Sequence, residues 1–393
     1  MRRAFFSGGL PLLVFAVAAV SLAMSAERAV DLTAADGTKL KATYYSAAKA
    51  GPGVLLLHQC NRERKIWDGL AQQLAGSGIN VLTLDYRGFG ESGDTPLAKA
   101  SQQEALAEQA KWPGDIDVAF QYLLSQPGVK RDMIGAGGAS CGVNNSVQLA
   151  RRHPEVRSLV LLSGSTDYNG RKFLHDSRTD VPAFFAYADD DEFPPTPLSI
   201  QWLYSLSTNP GKKLVHYADG GHGSDMFRLH PELVGMIRDW YVTTLIKTPG
   251  RAPASKDVVA SPKDVQTLSI IDEPGGAAKV DAMLQEGRRH DPKAALFPET
   301  LVNFMGYEHM QAGDNKGAIE IMKLNVAAYP NSPNTYDSLA DAYLADGQKD
   351  LARQNSKKAL ELLPSDTADN QQRRDAIKAS ADQKLKQLDE KTQ

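Results

Sequence analysis

Cysteine is nearly absent: Cys60 and Cys141 are the only two in 393 residues. Two thiols are too few for a cysteine-rich zinc site or an iron–sulfur cluster. An excess of positive charge is also lacking. Lys and Arg total 44 against 47 Asp and Glu, a net −3, so no basic field argues for nucleic acid. Long apolar runs are missing beyond the first segment, which excludes a polytopic membrane protein. What is present is ordinary: 42% hydrophobic and 23% charged residues exclude wholesale disorder and collagen. The length suggests two or three domains, with a core large enough to need no disulfide scaffold.

The first segment, residues 1–26, has the pattern of a secretory signal peptide. Arg2 and Arg3 form a positive start, residues 10–20 are apolar, and the small residues Ala23, Ser25 and Ala26 leave cleavage open after any of them. The apolar run is short for a membrane span of ~20 residues, although an uncleaved anchor is the alternative. Neither cysteine lies where a lipoprotein would need one. The expectation is a periplasmic or secreted protein in an oxidising compartment, with no membrane contact after cleavage.

Residues 27–247 alternate short apolar runs with longer amphipathic ones. Buried strands are expected over residues 54–57, 81–84, 133–135, 159–162, 183–187 and 214–217. Their near-continuous apolar character suits a sheet covered on both faces. Ile66, Leu70 and Leu74 mark one intervening helix, ended by Gly76 and Gly78, and residues 115–124 and 145–152 mark others. The expected fold class is α/β with a mostly parallel sheet, opened by an antiparallel hairpin over residues 30–45 that turns at Asp36-Gly37. Pro249, Gly250, Pro253, Ser255, Ser261 and Pro262 then suggest a linker, with a second break at Pro274-Gly275-Gly276, so residues 248–275 are expected to connect two domains.

Residues 276–393 read as helical and contain an internal repeat. Gly313 and Gly347, Ala318 and Ala352, and Pro330 and Pro364 are each separated by the same 34-residue interval. The segments 306–314 and 340–348 carry a resemblance to the tetratricopeptide repeat, which implies stacked helix pairs. Residues 277–290 are expected to pack before them, and a helix bearing Ile377, Ala381, Leu385 and Leu388 to cap them. A protein partner or self-association through residues 276–393 is the corresponding expectation. The charges over 373–391 are expected to be a solvated face.

Gly138-Ala139-Ser140-Cys141-Gly142 fits G-x-S-x-G between an expected strand and an expected helix. So tight a turn demands small flanking residues, and it lifts the serine hydroxyl clear of the sheet at a helix N-terminus, where the dipole and backbone N–H groups stabilise an oxyanion. An acid follows in the loop 187–195, and a histidine in Gly220-Gly221-His222-Gly223-Ser224. The chain order Ser, acid, His is the one this turn calls for. His153 and His230, each before a proline, and His216, within a strand, are expected to be structural.

With these residues in place, the region 30–247 resembles the α/β-hydrolase superfamily and, within it, the dienelactone-hydrolase-like branch. Residues 55–59 resemble the family's strand and oxyanion loop. Residues 85–93 resemble its D-x-R-G-x-G-x-S segment, Asp191 takes its acid position and His222-Gly223 its His-Gly. The resemblance implies an α/β-hydrolase fold and an ester-cleaving serine hydrolase with Ser140 as nucleophile, His222 as base and Asp191 as orienting acid. It implies the Cys141 N–H and the Gln59 or Cys60 N–H as oxyanion donors, a small acyl substrate, and no metal or organic cofactor.

Three departures matter. The usual oxyanion-loop glycines are replaced by Gln59-Cys60-Asn61. The acid is one of three consecutive aspartates, of which spacing favours Asp191, leaving Asp189 and Asp190 as solvated or capping. Finally, Cys141 adjoins the nucleophile; a cysteine nucleophile would need the motif centred one residue on, and Ala139 and Val143 do not fit that frame. In this fold the loops bearing Cys60 and Cys141 face each other, so a Cys60–Cys141 disulfide is expected. Residues 93–113 suggest a small flap, no large cap fits between 163 and 179, and Arg62, Glu63 and Arg64 are expected to be solvated near the mouth. A non-catalytic binding or scaffold protein working through the repeats, or a serine peptidase, are the alternatives.

Overall fold

The computed structural model describes residues 26–93, 96–177, 181–193, 195–255 and 262–390. The expected signal segment lies outside them except for Ala26. No helix among the described residues is long and apolar enough to cross a membrane.

Eight strands form one sheet: β1 (Ala26–Thr33), β2 (Lys39–Ser46), β3 (Gly51–Leu57), β4 (Asn80–Leu84), β5 (Val129–Ala139), β6 (Val156–Leu162), β7 (Ala183–Ala188) and β8 (Lys212–Tyr217). Their spatial order is β1-β2-β4-β3-β5-β6-β7-β8. β1 and β2 pair antiparallel, as does β2 with β4, and every later pairing is parallel. This is the α/β-hydrolase fold, in which an antiparallel opening hairpin precedes right-handed β-helix-β crossovers.

The apolar runs are continuous because both faces of the sheet are covered. Leu55 and Leu57 of β3 face one core, shared with the helices Trp112–Ser125, Cys141–Arg152 and Pro195–Leu206. Val54 and Leu56 face the other, against the helices Asp68–Gly76 and Glu232–Tyr241. Within the expected flap, Gln102–Gln109 is a helix begun by a Ser101/Glu104 capping box.

The C-terminal region is helical. The pairs Glu299–Gln311/Asn315–Ala328 and Pro333–Ala345/Lys349–Leu362 have equivalent boundaries at the 34-residue interval. Gly313 (φ +83°) and Gly347 (φ +77°) stand between the helices of each pair in the left-handed conformation that residues with a Cβ resist. The last helix, Gln371–Glu390, buries Ile377, Ala381 and Leu388, but also Lys384, whose ammonium reaches Asp337 at 2.9 Å and Asp341 at 2.8 Å. The charged stretch is therefore not a wholly solvated face.

The expected linker needs correction. Within residues 248–275, Lys263–Asp272 is a helix whose Val265, Leu268 and Ile271 are buried. They join an apolar cluster with Leu284, Leu301, Met305 and Ile321 from the C-terminal helices and Trp202 from the α/β region. Trp202 and Ile200 lie on the same helix but face different cores. That helix is a shared wall, and the C-terminal region is docked on the α/β region through it. Local Pro and Gly content gave no sign of this docking, which depends on apolar partners distant in sequence.

Candidate active site

Ser140 stands between β5 and the helix Cys141–Arg152 with φ +55°, a conformation strained for a residue with a Cβ. The flanking glycines are required by close backbone approach. A Cβ on Gly138 would lie 2.0 Å from the Gly142 carbonyl oxygen, and one on Gly142 2.4 Å from the Leu57 carbonyl oxygen. The turn thus sets Ser140 at a helix N-terminus, where the backbone N–H of Cys141, the first helical residue, has no intrahelical partner.

His222 follows β8. Its Nδ1 lies 2.9 Å from each carboxylate oxygen of Asp191, in the loop after β7, and both side chains are buried. Of the three consecutive aspartates only Asp191 is buried. Its Oδ1 also accepts the Phe193 N–H at 2.9 Å, which fixes the carboxylate. Asp190 is exposed and accepts the Gly221 N–H at 2.8 Å, a bond that holds its carboxyl below the usual range. Asp189 pairs with His216 at 2.8 Å. The two preceding aspartates thus brace the loop while Asp191 meets the imidazole.

Ser140, Cys141 and His222 line one cavity of about 350 Å³. Its wall includes Asn144, Ser163, Phe193 and Trp202 and, from the C-terminal helix Glu299–Gln311, Leu301, Phe304, Met305 and Glu308. The Phe193 ring lies 4.6 Å from that of His222. No local sequence signal marks the C-terminal contributors, because they arrive from more than a hundred residues beyond Ser140.

The other two oxyanion candidates, Gln59 and Cys60, stand in the loop after β3 and are not among the residues that line this cavity. Cys60 is joined to Cys141 by a disulfide, which ties the loop after β3 to the first residue of the serine-bearing helix. Gln59 is buried, and its side chain has a role the sequence did not disclose. Its Oε1 accepts from the Ser224 N–H at 2.8 Å and the Ser224 hydroxyl at 2.9 Å, and its Nε2 donates to Asn61 Oδ1 at 2.9 Å. Gln59 thereby fastens the loop after β3 to the loop that bears His222.

Neighbouring motif residues are architectural. His58 is buried, its Nδ1 2.7 Å from the Gln59 carbonyl oxygen and its Nε2 3.2 Å from the Tyr86 N–H. The carbonyl accepts and the N–H donates, so the ring is the neutral Nδ1–H tautomer; burial pushes its pKa down accordingly. Arg87 is paired with Asp115 through two 2.6 Å hydrogen bonds and with Asp36 at 2.7 Å. Arg64, expected to be solvated, is instead buried: its guanidinium pairs with Asp85 and Glu91 and donates to the Thr43 hydroxyl at 3.1 Å. The correction has a physical cause, since Asp85 has no exposed surface and needs a counter-charge. Arg62 is the partly exposed one, pairing with Asp225 at 2.9 Å.

A second buried ionic cluster adjoins the cavity. Arg171 is bonded to both oxygens of Asp272 (2.9 and 2.8 Å), pairs with Glu308 and lies 4.5 Å from the Trp202 ring centre. His309 reaches Asp272 at 3.2 Å and Asp314 at 2.8 Å. Burial would raise the Asp272 pKa, but Arg171 and His309 outweigh it and hold it at about 2. Burial raises Glu308, an effect Arg171 only partly offsets.

Sequence comparison fits this frame. The family described as serine aminopeptidase, S33, matches residues 49–175. The chain is 27% identical over 134 residues to the thiohydrolase aneE of Aspergillus aculeatus, covering 33% of this chain and 39% of that one. It is 31% identical over 152 residues to an uncharacterized protein of Mycobacterium tuberculosis, covering 38% and 50%. The chain thus spans half or less of the length of the curated relatives it matches. Similar solved structures include an esterase of Pyrococcus furiosus (18% identity, TM-score 0.44, 56% of this chain and 93% of that one). A dienelactone hydrolase of Anabaena variabilis matches with 18% identity, TM-score 0.44, and 56% and 99% coverage. The family match falls within the α/β region and takes in Ser140. Among the described residues the helical repeat region lies wholly beyond the segment the family matches.

Proposed function

We propose that the protein is an exported serine hydrolase that cleaves ester-like acyl bonds. The observation that carries this reading is the His222–Asp191 pair, buried and bonded at 2.9 Å, whose imidazole lines the same cavity as Ser140. Asp191 occupies Nδ1 and fixes the tautomer, which leaves Nε2 to act as base. The Ser140 hydroxyl attacks the acyl carbonyl and passes its proton to His222. The oxyanion is held by the Cys141 N–H and by the Gln59 or Cys60 N–H. His222 then protonates the departing alcohol, and water, deprotonated in turn by His222, releases the acid and regenerates Ser140. Export is supported by the Arg2, Arg3 and 10–20 pattern, and by a disulfide that suits an oxidising compartment.

Fluorophosphonate labelling of the purified protein tests this. Labelling and p-nitrophenyl ester hydrolysis are expected in the wild type and lost in Ser140→Ala; persistence of both in the variant refutes the assignment, and absence of both in the wild type leaves the scaffold reading. A second reading, a serine peptidase, is favoured by the family described as serine aminopeptidase. Faster turnover of aminoacyl anilides than of simple esters would establish it. The C-terminal pairs are proposed to be tetratricopeptide-like, with a protein partner or a second copy as the ligand of their remaining surface.

A further inference from the structure

Helix Glu299–Gln311 turns Leu301, Phe304, Met305 and Glu308 toward the cavity of Ser140 and His222. The spacing i, i+3, i+4, i+7 makes this one face of the helix. Leu301 and Met305 are seated in the apolar cluster with Trp202, so the face cannot roll away without opening a core. Glu308, one turn on, is pinned by Arg171, which Asp272 grips with both oxygens. The helix is therefore fixed at both ends of its cavity-facing stripe. Phe304 alone is left free, 58% exposed at the cavity. The other exposed aromatic lining that cavity is Phe193, 47% exposed, whose ring lies against His222. Large apolar side chains held open at a site of this size mark where an apolar group is bound.

We propose that the C-terminal region is a built-in wall of the active site, and that Phe304 with Phe193 binds the apolar acyl chain of the substrate. The inference rests on the hydrolase reading above and adds a substrate class: esters of apolar acids longer than acetate. It also gives the docking of the repeat region a consequence for chemistry, since helix Glu299–Gln311 supplies part of the cavity wall, Phe304 included.

The test uses the full mature chain and p-nitrophenyl esters from acetate to octanoate, then acetate esters of alcohols of increasing length. The wild type is expected to prefer hexanoate over acetate in kcat/KM. In Phe304→Ala that preference falls about tenfold, carried by KM, as loss of apolar contact in a pocket requires. Phe304→Leu restores most of it. Phe304 is exposed, so the variants fold, and unchanged circular dichroism and Tm verify this. An unchanged acyl preference in Phe304→Ala, or a change confined to the alcohol series, overturns the inference while Ser140-dependent labelling keeps the hydrolase reading. A wild type that neither labels nor hydrolyses any ester overturns both.

Discussion

Gln59 and Ser224 are joined by two hydrogen bonds to one oxygen: Gln59 Oε1 accepts both the backbone N–H and the hydroxyl of Ser224, at 2.8 and 2.9 Å. Ser224 is two residues from His222, so the loop after β3 and the loop after β8 are held in mutual register beside the cavity. Gln59→Leu keeps the volume and leaves both Ser224 donors without that acceptor. About 1–3 kcal/mol of stability is expected to be lost for the unsatisfied groups. Ester turnover is expected to fall up to about a hundredfold through misplacement of His222. Urea titration and kcat measurements check the two effects; an unchanged kcat would show that the histidine loop needs no such tie.

The Cys60–Cys141 disulfide closes a sequence separation of 81 residues and ends on the residue after Ser140. Denatured, unreduced protein is expected to show no free thiol on titration. Replacing both cysteines with alanine is expected to cost about 2–5 kcal/mol, mainly through the unfolded chain. Loss of catalytic rate beyond the loss of folded protein, measured by active-site labelling, would show that the bond also holds the oxyanion loop.

Asp272 lies between Arg171 and His309 with its pKa held at about 2, against an ordinary 3.8. The folded value is the lower one, so the carboxylate stabilises the fold above about pH 4, and that contribution is lost as pH falls toward 2. Glu308 works in the opposite sense. Its pKa is raised, so its contribution is present below an ordinary 4.5 and is lost as pH rises through the raised value. Asp272→Asn leaves Arg171 short of its bidentate partner and is expected to cost about 3–5 kcal/mol at pH 7. Its acid limb between pH 4 and 2 should be flatter than that of the wild type in denaturant titrations across pH. An identical acid limb would remove Asp272 from the explanation.

Trp202 has its indole under the C-terminal helices although it belongs to a helix of the α/β region. A chain ended at Lys247 uncovers it together with Leu198 and Leu206, which pack at the same cluster. Such a chain is expected to bind 1-anilinonaphthalene-8-sulfonate and to aggregate on size exclusion. A monomeric, dye-negative truncation with the wild-type Tm would show that the two regions fold independently.

The strand runs, the opening hairpin at Asp36-Gly37, the 34-residue helix spacing and the small-residue turn around Ser140 could all be read in advance. Each follows from residues close together in the chain: apolar continuity, turn chemistry, or the steric demand of a tight backbone approach. The same holds for naming Ser140, Asp191 and His222 as candidates, since each stands in its own loop pattern after an apolar run. Tertiary structure decided what those patterns meet. It buried Arg64 against Asp85, because a carboxylate removed from water requires a counter-charge, whereas sequence composition alone suggested a solvated arginine. It turned Gln59 from an irregularity into a tie between two loops. It brought Phe304 and Glu308 to the cavity of Ser140 across a stretch that reads as a linker. The scarcity of cysteine follows the same division. The sequence limited the protein to one possible disulfide, and the fold alone placed its two sulfurs together, because bonding distance between residues 81 apart depends on the path of the whole sheet.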